Sequence, residues 1–267
     1  MTSRTPPQRP PAVVLVWAPR ERARALIRQA LPRRRFRVTL VHDAVAFADA
    51  ARGSLVDLAL VDTGATDDPW PVAELAREFP SVGFVAITPG RAADAPVIER
   101  CVALDFSEVI VEGIDDDAVE PLLDPLGFGA RFAAALSEPP EALGLTLPLQ
   151  RDAWRHVVAH AGLPVPTGIL ASLVGVTREH LSRTFAAAGA PNLKRIMDLV
   201  RLIAAAELSK NPGFDVGDVA RVLAFASSSH LSTTAQRIVG VRPASLARLR
   251  TVDLIERFVH GRTRSRS

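Results

Sequence analysis

A stretch near the C-terminus carries side chains suited to hydrogen-bonding with nucleic-acid bases and phosphates. Residues 178–189 (REHLSRTFAAAG) are predicted to form a helix, because Leu181 and Phe185, four residues apart, give it an apolar side. An arginine guanidinium pairs with a guanine edge or with phosphate oxygens, so Arg178 and Arg183 are the strongest candidates. The polar side of this helix consists of Arg178, Glu179, His180, Ser182 and Arg183.

A second polar helix is predicted to follow the capping serines 227–229. Thr233 and Gln236 have groups suited to adenine or thymine, and Arg237 has a group suited to phosphate. This side is less basic than the first. Its predicted outer residues are Ser228, His230, Thr233, Gln236 and Arg237.

Each polar helix follows a shorter apolar helix and a tight turn, which makes two helix-turn-helix units within residues 168–246. Between them, residues 193–210 form one amphipathic helix of about 18 residues, or ~27 Å. With the width of the flanking units, this helix would place the two polar helices about one DNA turn apart, ~34 Å, on one face. Its predicted core side is Leu193, Ile196, Met197, Val200, Ile203, Ala204 and Leu208.

The N-terminal half alternates short apolar runs with helical patterns. Such alternation predicts an α/β domain with a doubly wound five-stranded parallel sheet, whose sites lie beyond the carboxyl ends of the strands. The residues at those ends are Trp17, Asp62, Thr88 and Glu112. The predicted strands are 12–17, 36–41, 55–62, 82–88 and 107–112, and the predicted helices are 21–31, 43–52, 71–79, 95–104 and one that starts at Asp115.

Charge divides the chain unevenly. Residues 1–150 carry 15 arginines and 21 acids, whereas residues 151–267 carry 17 basic residues and 8 acids. A basic half beside an acidic half indicates a polyanionic partner for the former. Cys101 is the single cysteine and is expected to be a buried, inert thiol. Neither a signal peptide nor an apolar run of about 20 residues is found, so a cytoplasmic protein without a membrane partner is expected.

The C-terminal motifs resemble the AraC/XylS family of bacterial transcription regulators. The resemblance rests on VTREHLSRTF, VRLIAAAEL and VARVLAFASSSHLSTTAQRIVGVRPASL. It implies double-stranded DNA as the partner, with RNA polymerase and a second copy of the chain as further candidates. Two departures stand out. Ala224-Phe225 replaces the usual Gly-Phe, and Ala235-Gln236 replaces an aromatic and a basic residue.

The N-terminal order of elements resembles the receiver domain of bacterial response regulators. VDLALVD places Asp62 at that family's phosphorylated aspartate, and Thr88 matches its switch hydroxyl. The family's magnesium-binding acid pair after the first strand is replaced by Trp17-Ala18-Pro19-Arg20, and its lysine ending the fifth strand by Glu112. Phosphoryl transfer to a carboxylate needs a cation to offset charge, so a receiver-like domain that is not phosphorylated is predicted.

These patterns predict a sequence-specific DNA-binding transcription regulator that is not an enzyme and needs no catalytic residue, cofactor or metal. Two alternatives remain open: a phosphorylation-responsive response regulator that uses Asp62, and a signalling or interaction module that does not bind DNA. The acidic loop 63–68 is expected to be solvated rather than metal-binding. The predicted order is a disordered start (1–11), a flavodoxin-like receiver-like domain (12–126), a linker (127–148), an all-α DNA-binding bundle (149–250), and a C-terminal helix with a basic tail (251–267).

Overall fold

The computed structural model describes residues 9–187 and 190–263. Most of the predicted disordered start, the last residues of the predicted helix 178–189 and the end of the basic tail lie outside the described residues. The chain forms two compact units. The sheet unit is Pro11–Arg131 with Asn211–Asp215, and the helical unit is mainly Phe132–Lys210 with the described part of Val216–Ser267.

The sheet unit is built on five parallel strands in the order β2-β1-β3-β4-β5, which confirms the doubly wound fold. After β1 the chain forms β2 on one side of β1 and then β3 on the other side. The strand order therefore reverses between β1 and β3, as in flavodoxin-like sheets. The strands are β1 (Ala12–Trp17), β2 (Phe36–Leu40), β3 (Leu58–Asp62), β4 (Gly83–Thr88) and β5 (Glu108–Val111).

Five helices connect and cover these strands. Asp43 caps α2 by accepting the N–H of Ala46, as its sequence position predicted. The fifth helix was predicted to begin at Asp115 but begins at Val119, because the Asp115 carboxylate accepts the Val111 N–H and closes a turn instead. The helices are α1 (Glu21–Ala30), α2 (Ala44–Gly53), α3 (Trp70–Ala73, continued by a 3-10 turn over Glu74–Arg77), α4 (Ala95–Ala103) and α5 (Val119–Leu123).

Both faces of the sheet are covered by apolar side chains, which explains why its strands read as continuous apolar runs. On one face Phe47 lies against Phe79 and Phe84, with ring centroids 6.2 and 5.4 Å away. On the other face α1 contributes Ile27 to a core built on alternate strand residues. Cys101 is fully buried, as expected, and burial raises the pKa of its thiol to about 11.

The helical unit is centred on α10. Asn192 is the N-cap of this helix, and its side chain accepts the Arg195 N–H. The helix spans 16 residues, or ~24 Å, two residues fewer than predicted. It contacts α7, α11, α12 and α13 and is buried on most of its sides. The helices of this unit are α7 (Pro148–Ala159), α8 (Thr167–Leu173), α9 (Arg178–Ala187), α10 (Leu193–Leu208), α11 (Val216–Val222), α12 (Ser228–Val239) and α13 (Thr251–Thr263). The helix α6 (Phe128–Ala135) is divided between the two units after Arg131.

The predicted linker 127–148 is more ordered than expected, since it holds α6 and a 3-10 turn over Glu141–Leu143. Trp154 of α7 is fully buried and donates its indole N–H to the Leu136 carbonyl at 2.8 Å. Among the described helices, none is long and apolar enough to cross a membrane.

Candidate nucleic-acid interface and receiver-like pocket

The first helix-turn-helix unit joins α8 to α9 through a turn at Gly175. The Gly175 N–H donates to the Ser172 carbonyl at 3.1 Å, and the Val176 N–H donates to the Ala171 carbonyl at 3.0 Å. Gly175 has a φ of 71°, in the left-handed region that glycine adopts without steric cost. This turn sets the direction in which α9 leaves α8.

The second unit joins α11 to α12 through the same pattern of hydrogen bonds. The Ala224 N–H donates to the Arg221 carbonyl at 2.9 Å, and the Phe225 N–H donates to the Ala220 carbonyl at 2.8 Å. Ala224 also lies in the left-handed region, with a φ of 52°. The departure noted in the sequence, alanine where glycine is usual, therefore falls on the residue whose backbone favours glycine.

The N-terminal caps of α9 and α12 are alike and show which positions of the two helices are equivalent. Thr177 accepts the His180 N–H at 3.2 Å, and Ser227 accepts the His230 N–H at 3.1 Å. His180 and His230 are therefore equivalent positions, each followed by a buried leucine. Counted from these two histidines, the remaining residues of α9 and α12 are equivalent pair by pair.

The outer side of α9 is open to solvent as predicted. Leu181 and Phe185 are fully buried and hold the helix on the unit. Arg178 and Arg183 form no ion pair with any described residue, so their guanidinium groups keep their hydrogen-bonding capacity for a ligand. All five predicted contact residues are exposed: Arg178, Glu179, His180, Ser182 and Arg183.

The outer side of α12 is also exposed, but two of its predicted contact residues have internal partners. Arg237 Nη2 lies 2.8 Å from Asp198 Oδ2 of α10, while 54% of the Arg237 side chain stays exposed. The His230 ring packs edge-on against Phe225 with centroids 5.5 Å apart. The exposed residues are Ser228, His230, Thr233, Gln236 and Arg237.

Equivalent positions in the two helices carry different chemistry. Arg178 corresponds to Ser228, and Arg183 corresponds to Thr233, so a hydroxyl replaces a guanidinium at both places. A hydroxyl donates one hydrogen bond and can accept others, but it supplies no charge to a phosphate. The α9 side therefore presents two guanidinium groups beside Glu179, whereas the α12 side presents one, that of Arg237, which is paired with Asp198.

Arg201 of α10 supports the second turn, a role that its sequence position did not indicate. Its guanidinium lies 3.8 Å from the centre of the Phe225 ring. Its Nη2 donates to the carbonyls of Leu223 and Ala224 at 3.0 and 3.2 Å. Burial lowers the pKa of Arg201, which Asp198 partly opposes. Arg201 thus satisfies carbonyls at the end of α11 and fixes the strained turn.

In the sheet unit, Arg20 joins the two acids at the carboxyl edge of the sheet. Its Nη2 lies 2.5 Å from Asp62 Oδ1 and 2.8 Å from Glu112 Oε1, and its Nη1 lies 3.0 Å from Glu112 Oε2. Asp62 is fully buried and Glu112 nearly so. Burial alone would lower the pKa of Arg20, but the hydrogen bonds and charges of Asp62 and Glu112 outweigh it and raise that pKa.

These residues do not fit a magnesium ion. The acid pair that would hold it is absent, and the guanidinium of Arg20 already occupies both oxygens of Glu112 and contacts both oxygens of Asp62. Among the described residues, no group of three histidine, cysteine, aspartate or glutamate side chains is placed to hold a metal. Glu112 carries a negative charge, like Asp62, where the receiver family has a lysine. Arg20 balances this charge.

The predicted switch hydroxyl has a partner other than Asp62. Thr88 Oγ1 donates to Asp94 Oδ2 at 3.0 Å, and both residues are buried. Burial raises the pKa of Asp94, but the Arg91 N–H and the Thr88 hydroxyl outweigh this and lower it. Trp17, the other strand-end residue, donates its indole N–H to the His42 carbonyl at 3.1 Å.

Comparison with known proteins gives a family match for the C-terminal part of the chain. A helix-turn-helix domain model of the AraC type matches residues 170–248, which confirms the resemblance seen in the C-terminal motifs. No curated protein matches the chain.

Three solved structures are similar to the chain. A response regulator from Thermotoga maritima is 17% identical, with 42% of this chain and 92% of that chain covered and a TM-score of 0.36. Full-length FixJ from B. japonicum is 16% identical, with 70% and 95% covered and a TM-score of 0.38. A response regulator protein from Burkholderia pseudomallei is 19% identical, with 65% and 97% covered and a TM-score of 0.34.

Proposed function

We propose that this chain is a sequence-specific DNA-binding transcription regulator. The observation that carries the proposal is the pair of equivalent helix-turn-helix turns, each followed by a capped helix with an exposed polar side. Helices held in this way enter the major groove with their N-terminal residues against base edges. The excess of basic residues after residue 150 supplies attraction to phosphates.

In this proposal α9 is the principal reader. Arg178 and Arg183 contact guanine edges or phosphates, while Glu179, His180 and Ser182 complete the contact surface. Within α12, Ser228, Thr233 and Gln236 contact bases. Arg237 and His230 act mainly through their contacts with Asp198 and Phe225, which hold α12 in place.

The sheet unit is proposed to regulate without phosphorylation at Asp62. Arg20 supplies the positive charge there and leaves no acid pair for a metal that would assist phosphoryl transfer. The protein is not an enzyme in this proposal and acts in the cytoplasm. RNA polymerase and a second copy of the chain are further proposed partners.

Selection of bound sequences from a random DNA pool tests the proposal. A regulator of this kind enriches one motif and binds it with an affinity that falls steeply as salt rises. Failure to enrich a motif, together with weak and salt-insensitive binding, would favour the interaction module without DNA function.

Acetyl phosphate labelling tests the role of the sheet unit. With magnesium present, the wild-type chain is expected to stay unlabelled. Label that appears in the wild type and disappears in Asp62→Asn would establish the phosphorylation-responsive alternative.

A further inference from the structure

A groove lies between α1 and β2, the strand at one edge of the sheet. Its volume is 560 Å³, within the range of about 300–1,000 Å³ that is usual for small-molecule sites. Buried side chains of Val16, Ile27, Leu31 and Phe36 line its inner part. The groove therefore has an apolar interior of the size that a small organic molecule fills.

Two exposed side chains extend this apolar lining to the surface. Val38 and Leu40 lie two residues apart on β2, so both point to the same face as Phe36. They are 39% and 53% exposed. Exposed aliphatic side chains on an edge strand are a liability that proteins usually avoid, and exposed apolar patches mark interaction sites.

The groove is bordered by arginines, although the N-terminal half is acidic overall. Residues 20–40 contain eight arginines and a single acid, Glu21. Four of these arginines line the groove: Arg24, Arg28, Arg33 and Arg37.

Two of the four arginines have no internal counter-charge. Arg24 and Arg28 share Glu21, at 2.8 and 2.6 Å. Arg33 and Arg37 form no ion pair with any described residue, and both are exposed. Arg37 alternates with Phe36 and Val38 on β2, so its side chain points to the opposite face of the sheet. The unpaired guanidinium of Arg33 beside the apolar groove favours a ligand with one anionic end.

We propose that this groove binds an amphipathic organic anion of the alkyl carboxylate class. The carboxylate pairs with Arg33, and the alkyl chain covers Val38 and Leu40. An aliphatic chain fits better than an aromatic ring, because the exposed lining is aliphatic and Phe36, the one aromatic residue there, is buried. This site does not depend on the proposed DNA function.

Titration calorimetry of the full chain with dodecanoate, below its micelle concentration, tests the site. Saturable binding of one equivalent is expected, and dodecyltrimethylammonium, which has the same chain and the opposite charge, should not bind. Octanoate should bind at least tenfold more weakly, since each buried methylene contributes about fourfold in affinity.

Paired variants identify the residues. Arg33→Gln should weaken dodecanoate binding by about tenfold or more. Arg37→Gln, at a position on the opposite face of β2, should have a much smaller effect. Arg77→Gln, an exposed arginine of the same unit outside the groove, should leave dodecanoate binding unchanged. Leu40→Ser should weaken binding and reduce the difference between octanoate and dodecanoate, and circular dichroism verifies that each variant is folded.

Three outcomes would overturn the proposal. One is equal binding of the cationic and anionic amphiphiles, and another is full affinity in Arg33→Gln. The third is a dimer in solution that Leu40→Ser dissociates while dodecanoate binds neither variant nor wild type, since a second copy of the chain would then cover β2.

Discussion

Gly175 and Ala224 occupy the same left-handed position in two copies of one turn, and only the first is a glycine. A β-carbon in this conformation approaches the following carbonyl and costs about 1–2 kcal/mol. The second helix-turn-helix unit therefore holds strain that the first does not, and the carbonyl contacts of Arg201 lie at that strained turn.

Reciprocal substitution of these two residues should change stability in opposite directions. Ala224→Gly is expected to raise the free energy of unfolding of the helical unit by about 1 kcal/mol, since strain is removed. Gly175→Ala should lower it by a similar amount. A β-carbon added at Gly175 meets no atom within 4 Å, so that loss measures backbone strain alone. Urea denaturation measures both, and a loss of stability in Ala224→Gly would refute the interpretation.

Truncation of equivalent side chains on α9 and α12 should have unequal effects on DNA binding. Arg183→Ala is expected to weaken binding to the selected sequence by roughly 1–3 kcal/mol if Arg183 reads a base. Thr233→Ala, at the equivalent position, should cost less because a neutral hydroxyl makes weaker hydrogen bonds. Mobility-shift titrations at fixed salt compare them. Equal losses, or unchanged affinity in Arg183→Ala, would contradict the assignment of α9 as the principal reader.

Removal of Arg20 alone should destabilise the sheet unit. Arg20→Met leaves buried Asp62 without its arginine and leaves Glu112 beside the exposed Arg22, whose Nε lies 3.6 Å from Glu112 Oε2. Breaking a buried pair by removing one partner costs about 3–5 kcal/mol. The Arg20→Met, Asp62→Asn, Glu112→Gln triple variant removes all three charges and should recover most of that loss. Thermal denaturation followed by circular dichroism compares the variants. If the single and triple variants are equally unstable, packing rather than charge balance explains the loss.

The stability of the helical unit should fall in mildly acidic solution because of His156. Burial, and then the neighbouring His160, lower the pKa of His156 in the folded chain. In the unfolded chain the pKa is about 6.5, so as pH falls below that value the unfolded state takes up the proton first. The contribution of neutral His156 to stability is thus present above pH of about 6.5 and is lost as pH falls through the folded pKa.

Denaturation at a series of pH values measures this effect. His156→Gln should lose part of the decrease below about pH 6.5, since glutamine does not titrate. His180→Gln, an exposed histidine on α9, is the matched control and should keep it. An identical pH dependence in His156→Gln and wild type would rule out His156 as the cause.

Local patterns predicted the parts of the site that depend on neighbours in sequence. The exposed side of α9 followed from Leu181 and Phe185, because helical spacing alone decides which residues face outward. The same spacing predicted only part of the α10 core, since Met197 is half-buried and Leu199 and Leu202, outside the predicted core side, are buried. The helix ends at Leu208 rather than at residue 210, where Ser209 and Lys210 form a turn.

Local sequence patterns could not predict contacts between residues that are far apart in the chain. Arg20 and Glu112 are 92 residues apart and meet only because parallel strands end at one edge of the sheet. Arg237 and Asp198 are 39 residues apart on two helices that pack together, so the sequence did not indicate their ion pair. Contact of Arg237 with a phosphate stays a prediction. The left-handed backbone of Ala224 was equally hidden, since alanine does not mark a positive φ.

Arg20 is part of the chain itself, so the positive charge beside Asp62 and Glu112 accompanies every copy of the protein from its synthesis. A divalent ion in that place would exchange with the surrounding solution and would follow its concentration there. The charge that balances these two acids is instead covalently part of the protein and does not follow the concentration of an exchangeable ion.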